Sequence, residues 1–236
     1  MILGRKAIGT VAYMGGVPAV LEPFCWSWGQ MVQHNQELFC DGQQYIHYDR
    51  AAISDHGPAR NSLVSRFLGD WLVQMDTDHR FDPDIVARLV RTADAAGVDV
   101  LSAVYQMKNP PHVPVLFQWV GDPDNKNHRG LQPLAKWPKE AKVLQIGSSG
   151  GGCLFVRRKV FDQLAAAYPR QNPFDKLEPF SEDHSFYLRC LNQKIDCYAA
   201  MDIHSTHLRV VPVTEDDLPK DGELMVSDLF PVGGFS

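Results

Sequence analysis

The chain has 236 residues, a formal net charge of −5, 44% hydrophobic residues and 22% charged residues. This composition is that of an ordinary globular protein, and no apolar run reaches the length of about 18 residues that a membrane-spanning helix needs. The acidic balance argues against broad electrostatic binding of nucleic acid, which requires a basic face. This net charge does not exclude a local basic groove.

The five cysteines are scattered along the chain and show no C-x-x-C spacing. Their odd number and this spacing indicate free thiols in a reducing compartment and argue against a disulfide framework or a zinc site. The N-terminal residues also lack the apolar segment and cleavage site of a signal peptide. We therefore expect a cytoplasmic location.

The N-terminal part of the chain alternates between strand and helix patterns. Segment 7–13 predicts a first strand, and apolar residues at helical spacing over 21–32 predict a helix with one buried face. A second strand is expected over 45–48. A second helix is expected to begin near Pro58, which suits a first helical turn, and to run to about residue 68.

A short apolar run, WLVQM over 71–75, leads directly into Asp76 and Asp78. Its length and composition predict a buried central strand. Because open parallel sheets bind ligands where their strands end, both carboxylates are expected at that edge of the sheet. Paired carboxylates there suit Mg²⁺ or Mn²⁺, which take oxygen ligands. The alternative is that they serve the turn and the cap of the next helix.

The next helix has the clearest signals in the chain. Asp82 suits its N-cap, Pro83 its first helical position and Gly97 its C-terminal end. A buried strand is expected over 98–105. The alternation up to that point indicates a largely parallel sheet covered by helices.

The pattern changes after Lys108, where six prolines up to about residue 148 exclude a long helix. Within this segment 115–120 predicts one strand of a hairpin. Regular patterns return with a glycine-rich strand over 150–156 and the helix that follows it. A further helix is expected from Ser181 and a last strand over 195–200.

Four motifs, in this order, resemble the GT-A glycosyltransferases, especially the family 2-like members of bacteria and phages. They are ARNSLV (59–64), LVQMDTDHRFDP (72–83), GGGCLFVRRKVFD (150–162) and SEDHSFYLRC (181–190). They are similar to the family's helix start before the metal strand, its DxD strand, its glycine-rich strand entering a helix, and its Glu-Asp motif. The resemblance covers about residues 7–208.

The resemblance implies a Rossmann-like mixed α/β fold, with a mainly parallel sheet and helices on both faces. A single catalytic domain is expected over 1–211, with a half that binds the donor nucleotide over 1–105 and an acceptor half over 106–211. A C-terminal tail is expected over 212–236. The implied activity is metal-dependent transfer of a hexosyl group from a nucleotide-diphospho-sugar, a UDP- or GDP-sugar, to an acceptor hydroxyl. The acceptor is left open among a glycan, a protein and a small molecule, and the acidic charge balance disfavours modified DNA.

The resemblance also implies a set of metal ligands. Asp78 is the first choice for a direct ligand, and Asp76 is expected to share the ion or to hold the ribose hydroxyls. His207 is the candidate third ligand, with His204 as the alternative. A histidine favours Mn²⁺ over Mg²⁺, since Mn²⁺ accepts imidazole more readily. A histidine after a strand can equally be a surface or capping residue.

Glu182 and Asp183 are the candidate catalytic residues. One of them would take the proton from the acceptor hydroxyl as a general base. In an inverting enzyme the family pattern favours Asp183, and Glu182 would orient the acceptor; in a retaining enzyme neither need be a base. The structural alternative is that both carboxylates stabilise the start of a helix.

Further residues are candidates for contacts with the donor. The planar guanidinium of Arg60 matches phosphate oxygens, although it could also lie on the helix surface. The glycine run lets the backbone approach a ligand, with a flexible connection as the alternative. In the resembling family the edge of the first strand holds the nucleobase, and Tyr13 could stack on it or be a rim aromatic. The full candidate set is Thr10, Ala12, Tyr13, Asp55, Arg60, Asp76, Gly151 and Gly152.

The irregular middle segment carries Trp119, His128 and Trp137. Their side chains could form a platform for an acceptor sugar, or they could pin the segment to the core. Long irregular segments within a domain are commonly binding loops or lids. We therefore expect this segment to help select the acceptor.

Two other functions compete with this interpretation. A sugar-phosphate nucleotidyltransferase is expected to have a Gly-rich, Arg-containing loop after its first strand, whereas 14–18 (MGGVP) has no basic residue. A non-catalytic nucleotide- or sugar-binding module of the same fold would not need both the Asp-x-Asp pair and the Glu182–Asp183 pair. Both patterns are present, which favours the transferase.

Overall fold

The computed structural model describes residues 5–16, 20–41, 43–121, 130–138 and 140–209. In chain order the elements are β1 (Lys6–Met14), α1 (Glu22–Phe39), β2 (Gln44–Ala51), α2 (His56–Val64), β3 (Trp71–Met75), β4 (His79–Phe81), α3 (Ile85–Ala96), β5 (Val100–Val104), β6 (Leu116–Val120), β7 (Gly130–Pro133), β8 (Val143–Ile146), β9 (Ser148–Ser149), β10 (Cys153–Arg157), α4 (Arg158–Ala167), α5 (Glu182–Asn192) and β11 (Cys197–His207). The tail expected over 212–236 and His128 lie outside the described residues.

The large sheet has the strand order β2-β1-β3-β10-β5-β11-β4, and β8 pairs with β11 beside this path. Strands β2, β1, β3, β5 and β11 run in one direction, whereas β10, β4 and β8 run in the other. The sheet is therefore mixed and mainly parallel, as the sequence predicted. The antiparallel strand β10 lies in its centre, between β3 and β5.

Helices cover both faces of this sheet, which explains why β3 and β5 are buried along their whole length. Successive side chains of a strand point to opposite faces, and in β3 Leu72 packs with α2, α4 and α5, whereas Val73 packs with α1 and α3. Each face thus has its own apolar cluster. The predicted arrangement, with helices on both faces, is confirmed.

A second, small sheet has the strand order β7-β6-β9. β6 and β7 pair antiparallel, which confirms the hairpin strand predicted over 115–120. Trp119 on β6 packs against the ring of Phe180, and Trp119 and Trp137 both lie partly buried against the core. These two tryptophans therefore anchor the irregular middle segment.

Two local expectations need correction. α3 begins at Ile85 with Asp84 at its N-cap, and not at Asp82 and Pro83, because the carbonyl of Asp82 closes a turn by accepting the amide of Ile85. The chain after the paired aspartates enters a short strand, β4, which pairs with β11 and which the sequence did not reveal. Gly97 ends α3 in the left-handed region, at φ 66°, as predicted.

All five cysteines are free thiols, as expected from their spacing. None of the helices in the described part of the chain combines the length and apolar character that crossing a bilayer requires.

Candidate active site

The carboxyl ends of β1, β3 and β5 meet at one edge of the large sheet, where a cleft of about 160 Å³ opens. This is the edge at which open α/β sheets bind ligands. Met14 and Gly16 from the end of β1 and His56 from the start of α2 are among the residues lining the cleft, with Asp76 and Asp78 from the end of β3.

Three side chains converge beside this cleft. The antiparallel pairing of β4 with β11 places His79 opposite His207, and the two imidazole rings stack with centroids 4.6 Å apart. Asp78 Oδ2 lies 3.6 Å from His207 Nε2, and Asp78 Oδ1 lies 3.7 Å from His79 Nε2. One ligand atom from each residue lies within 4.8 Å of the other two. We call Asp78, His79 and His207 the metal cluster.

The hydrogen bonds of the metal cluster leave its ligand atoms turned inward. His207 Nδ1 lies 3.0 Å from the carbonyl oxygen of Gln106; a carbonyl only accepts, so Nδ1 carries a proton, and Nε2 is the ring nitrogen that faces Asp78. Asp78 Oδ1 and His79 Nε2 are buried and have no hydrogen-bond partner among the described residues. A carboxylate with two imidazole nitrogens is a donor set that could hold a divalent transition-metal ion.

The charges of the cluster suit a cation. Burial lowers the pKa of His79 to about 4, against the opposing charges of Asp76 and Asp78, so its ring is neutral at pH 7 and Nε2 can act as a ligand. Burial raises the pKa of Asp78, but hydrogen bonds with His207 and Lys108 outweigh it and hold that pKa well below its usual range. The cluster therefore presents one carboxylate and a neutral imidazole.

Arg60 connects the paired aspartates to the Glu-Asp motif. Its side chain is only 1% exposed, so the surface alternative for this arginine is wrong. One terminal nitrogen donates to Asp76 Oδ1 at 2.9 Å and the other to the carbonyl of Gly151 at 3.0 Å. Its Nε lies 3.7 Å from Glu182 Oε1. The guanidinium thereby fixes two carboxylates that are far apart in sequence.

The two acidic residues at the start of α5 have different surroundings. Glu182 is buried and faces His56 and Arg60. Burial raises its pKa, but the hydrogen bond with His56 and the charge of Arg60 prevail and lower that pKa to about 2. Asp183 is half-buried, and its Oδ1 accepts hydrogen bonds from the Ser181 hydroxyl and from the His184 amide.

The glycine run is required by neighbouring side chains. A Cβ at Gly151 would lie 2.1 Å from an Arg60 terminal nitrogen, and one at Gly152 would lie 2.5 Å from His79 Nε2. The Gly152 carbonyl also accepts the amide of Asp76 at 3.0 Å. This backbone therefore forms the wall against which the metal cluster and Arg60 pack.

Substituting Gly152 with alanine is expected to push His79 away from Asp78, because the new methyl group would overlap the imidazole. We expect a loss of about 1–3 kcal/mol in the free energy of unfolding, typical of overpacking, and a weaker Mn²⁺ affinity. Urea unfolding and a Mn²⁺ titration measure both. The control is Gly29→Ala on α1, where a Cβ meets nothing within 4 Å; an unchanged Mn²⁺ affinity in Gly152→Ala would contradict this packing argument.

The other candidates for donor binding occupy varied positions. Thr10 is fully buried, with its hydroxyl bonded to the backbone of Leu68, and Ala12 lies in the core. Tyr13 packs edge-on against Trp28, with ring centroids 4.8 Å apart. Asp55 is the exposed N-cap of α2, next to residues that line the cleft. The role of these four residues in donor binding stays a prediction.

The metal cluster contains His207, whereas the alternative ligand His204 is exposed on β11 and takes no part in it. Three residues of the site were not predicted from the sequence: His56, His79 and Lys108. The only signal for His79 was its position directly after the paired aspartates. Lys108 contacts Asp78, which lies 30 residues away in the sequence. His56 contacts Glu182, which lies still farther away. No local sequence pattern indicates such pairs.

No protein-family model and no curated protein sequence matches the chain. Solved structures do match its fold. The crystal structure of A197 from STIV superposes with a TM-score of 0.52 at 15% identity, covering 87% of both chains. The crystal structure of GalNAc-T7 with UDP, GalNAc and Mn²⁺ superposes with a TM-score of 0.59 at 10% identity.

The match to GalNAc-T7 covers 91% of this chain but 45% of that one, so this chain spans less than half the length of that protein. At such low identities the likeness concerns the fold alone. The chain therefore has a glycosyltransferase-like fold, with the mixed and mainly parallel sheet that its sequence motifs predicted.

Proposed function

We propose that the chain is a metal-dependent glycosyltransferase that moves a sugar from a nucleotide-diphospho-sugar to an acceptor hydroxyl. The observation that carries this proposal is the metal cluster at the sheet edge beside the cleft, in which Asp78 Oδ1 and His79 Nε2 are buried without a hydrogen-bond partner among the described residues. A fold neighbour, GalNAc-T7, has a structure with UDP, GalNAc and Mn²⁺. The same combination of nucleotide and metal would suit the site found here.

Four residues are assigned to the metal ion and the donor. Asp78, His79 and His207 would hold the ion, which when bound supplies Lewis-acid compensation for the charge of the leaving diphosphate. Asp76 lines the cleft, and Arg60 already binds one of its oxygens. Asp76 would share the ion or bind the ribose hydroxyls of the donor.

Asp183 is the better general base of the acidic pair. Glu182 is only 8% exposed, and its lowered pKa makes it a weak proton acceptor. Asp183 is half-buried and lies close enough to Arg60 for its charge to act on that guanidinium. We infer that Asp183 takes the proton of the acceptor hydroxyl while Glu182, held by Arg60 and His56, positions the start of α5.

The acceptor is expected to lie between α5 and the small sheet. His184, next to Asp183, contacts the Ser148 hydroxyl at 2.7 Å through Nδ1 and packs edge-on against the ring of Phe117. The irregular middle segment thus borders the proposed base. This contact supports the hypothesis that the irregular segment, from Lys108 to about Ser148, helps select the acceptor.

The test is thermal unfolding with UDP, GDP, CDP and dTDP, each with and without Mn²⁺. At a hundredfold excess over its Kd, a ligand of the native state contributes about 2.7 kcal/mol, which raises the Tm of a chain of this size by roughly 5–10 °C. We expect one nucleotide to give this rise only with Mn²⁺. Asp78→Ala should abolish the rise, whereas Asp162→Ala, on an exposed position of α4, should keep it. If no nucleotide raises the Tm of the wild type with Mn²⁺, the proposed function is wrong.

A further inference from the structure

The metal cluster forms an ion pair with the cationic side chain of Lys108. Its ammonium nitrogen lies 2.5 Å from Asp78 Oδ2. The same oxygen lies 3.6 Å from His207 Nε2, while Oδ1 is turned toward His79. An ion held by Asp78 Oδ2 and His207 Nε2 would therefore compete with this ammonium group for one carboxylate oxygen.

A second cleft, of about 350 Å³, adjoins the cluster where β5 and β11 end. Lys108, His112, His207 and Arg209 line it, and no carboxylate does so among the described residues. The whole chain has a net charge of −5, so this concentration of basic side chains is a local exception. Such a cleft attracts an anionic group. We call it the basic cleft.

Asp78 connects the two clefts. Its carboxylate lines the first cleft with Asp76, and its partners Lys108 and His207 line the basic cleft. A diphosphate placed at the metal cluster would consequently have the basic cleft as its neighbour.

We propose that Lys108 is the counter-ion of Asp78 in the metal-free protein, and that a divalent ion displaces its ammonium group into the basic cleft, where it binds a phosphate oxygen of the donor. This inference rests on the proposed function. Two cations at one carboxylate repel each other strongly at such distances. The released ammonium group would find a new anionic partner in the diphosphate.

The exchange requires movement of the Lys108 side chain only. The loop that carries it is closed by backbone hydrogen bonds, from the Met107 amide to the Val113 carbonyl at 2.9 Å and from the His112 amide to the Asn109 carbonyl at 3.1 Å. Lysine has a flexible four-carbon stem, and this one is 39% exposed. The ammonium group can therefore swing between Asp78 and the basic cleft while the backbone stays in place.

The order of binding follows from this exchange. In the metal-free protein the ammonium and the carboxylate neutralise each other, so the basic cleft lacks one of its charges. Binding of the divalent ion releases the ammonium group of Lys108 from Asp78. The basic cleft then regains this positive charge. A nucleoside diphosphate should accordingly bind after the metal ion and gain affinity from it through Lys108 as well as through direct contact.

The first measurement is the Mn²⁺ affinity without nucleotide, from the EPR signal of free Mn²⁺. Lys108→Met should bind Mn²⁺ about fivefold more tightly than the wild type, which corresponds to the loss of one partly exposed ion pair. Lys108→Arg should keep the wild-type affinity, since it keeps the charge. The matched control is Lys159→Met, which removes a lysine paired with Asp99 at 2.9 Å, at the opposite end of β5. An equal or weaker Mn²⁺ affinity in Lys108→Met would overturn the counter-ion role.

The second measurement is calorimetric titration with UDP, GDP, CDP and dTDP, each at saturating Mn²⁺. Lys108→Met should bind the recognised diphosphate about tenfold more weakly, because a charge-assisted hydrogen bond is lost, and Lys108→Arg should largely restore it. An unchanged affinity would overturn the phosphate contact. If the wild type binds Mn²⁺ but none of the four nucleotides, the proposed function and the phosphate contact both fail, and the Mn²⁺ affinities still decide the counter-ion role.

Discussion

Replacing Arg60 with methionine is expected to destabilise the protein by about 3–5 kcal/mol, the cost of leaving a buried charge without its partner. Methionine keeps much of the volume but removes the hydrogen bonds to Asp76, Gln74 and the Gly151 carbonyl. Two carboxylates, on Asp76 and Glu182, would then lose their shared cation. Urea unfolding measures the loss.

Arg66→Met is the matched control for this substitution. Arg66 also pairs with an aspartate, Asp49, at 2.6 Å, but its side chain is 42% exposed. Exposed ion pairs contribute about 1 kcal/mol or less. Equal losses in the two variants would contradict the view that the burial of Arg60 makes its carboxylate contacts indispensable.

Asp183→Asn should slow sugar transfer by about 10²–10⁴-fold, the usual contribution of a general base. Asparagine keeps the shape of the side chain and can still accept the hydrogen bonds of Ser181 and His184. The Tm and the affinity for the nucleotide should therefore stay close to wild-type values. Initial rates are measured with nucleotide-sugars that carry the nucleotide found in the screen, on a panel of hydroxyl acceptors.

Glu182→Gln separates the two acidic roles. Because Glu182 is buried against Arg60 and His56, its neutral variant should lose stability together with activity, whereas Asp183→Asn should lose activity alone. A rate within tenfold of wild type for Asp183→Asn would remove it from the role of base.

The sequence predicted the layered core well, because its signals are local. The apolar run 71–75 became β3, and the apolar period of 85–93 became the buried face of α3. Two short elements, β4 and β8, were missed. Their position depends on pairing with β11, which lies more than 50 residues away in the chain.

The candidate site was only partly predictable for the same reason. The motif residues Asp78 and His207 meet in the structure. His79 joins them because β4 pairs with β11, and no local pattern indicates that pairing. Arg60 shows a second limit, since a helical motif does not tell whether an arginine points to solvent or into a buried set of carboxylates.

The central position of β10 bears on how the protein is made. During synthesis β3 and β5 leave the ribosome well before β10, the strand that pairs with both of them. The other edge of β5 stays unpaired until β11 has been synthesised. Until then these mostly apolar strands have open edges, which favour association with other chains. Pairing between segments distant in sequence is also slow. The nascent chain is therefore most prone to aggregation after Val104 has emerged and before β10 and β11 have paired with these strands.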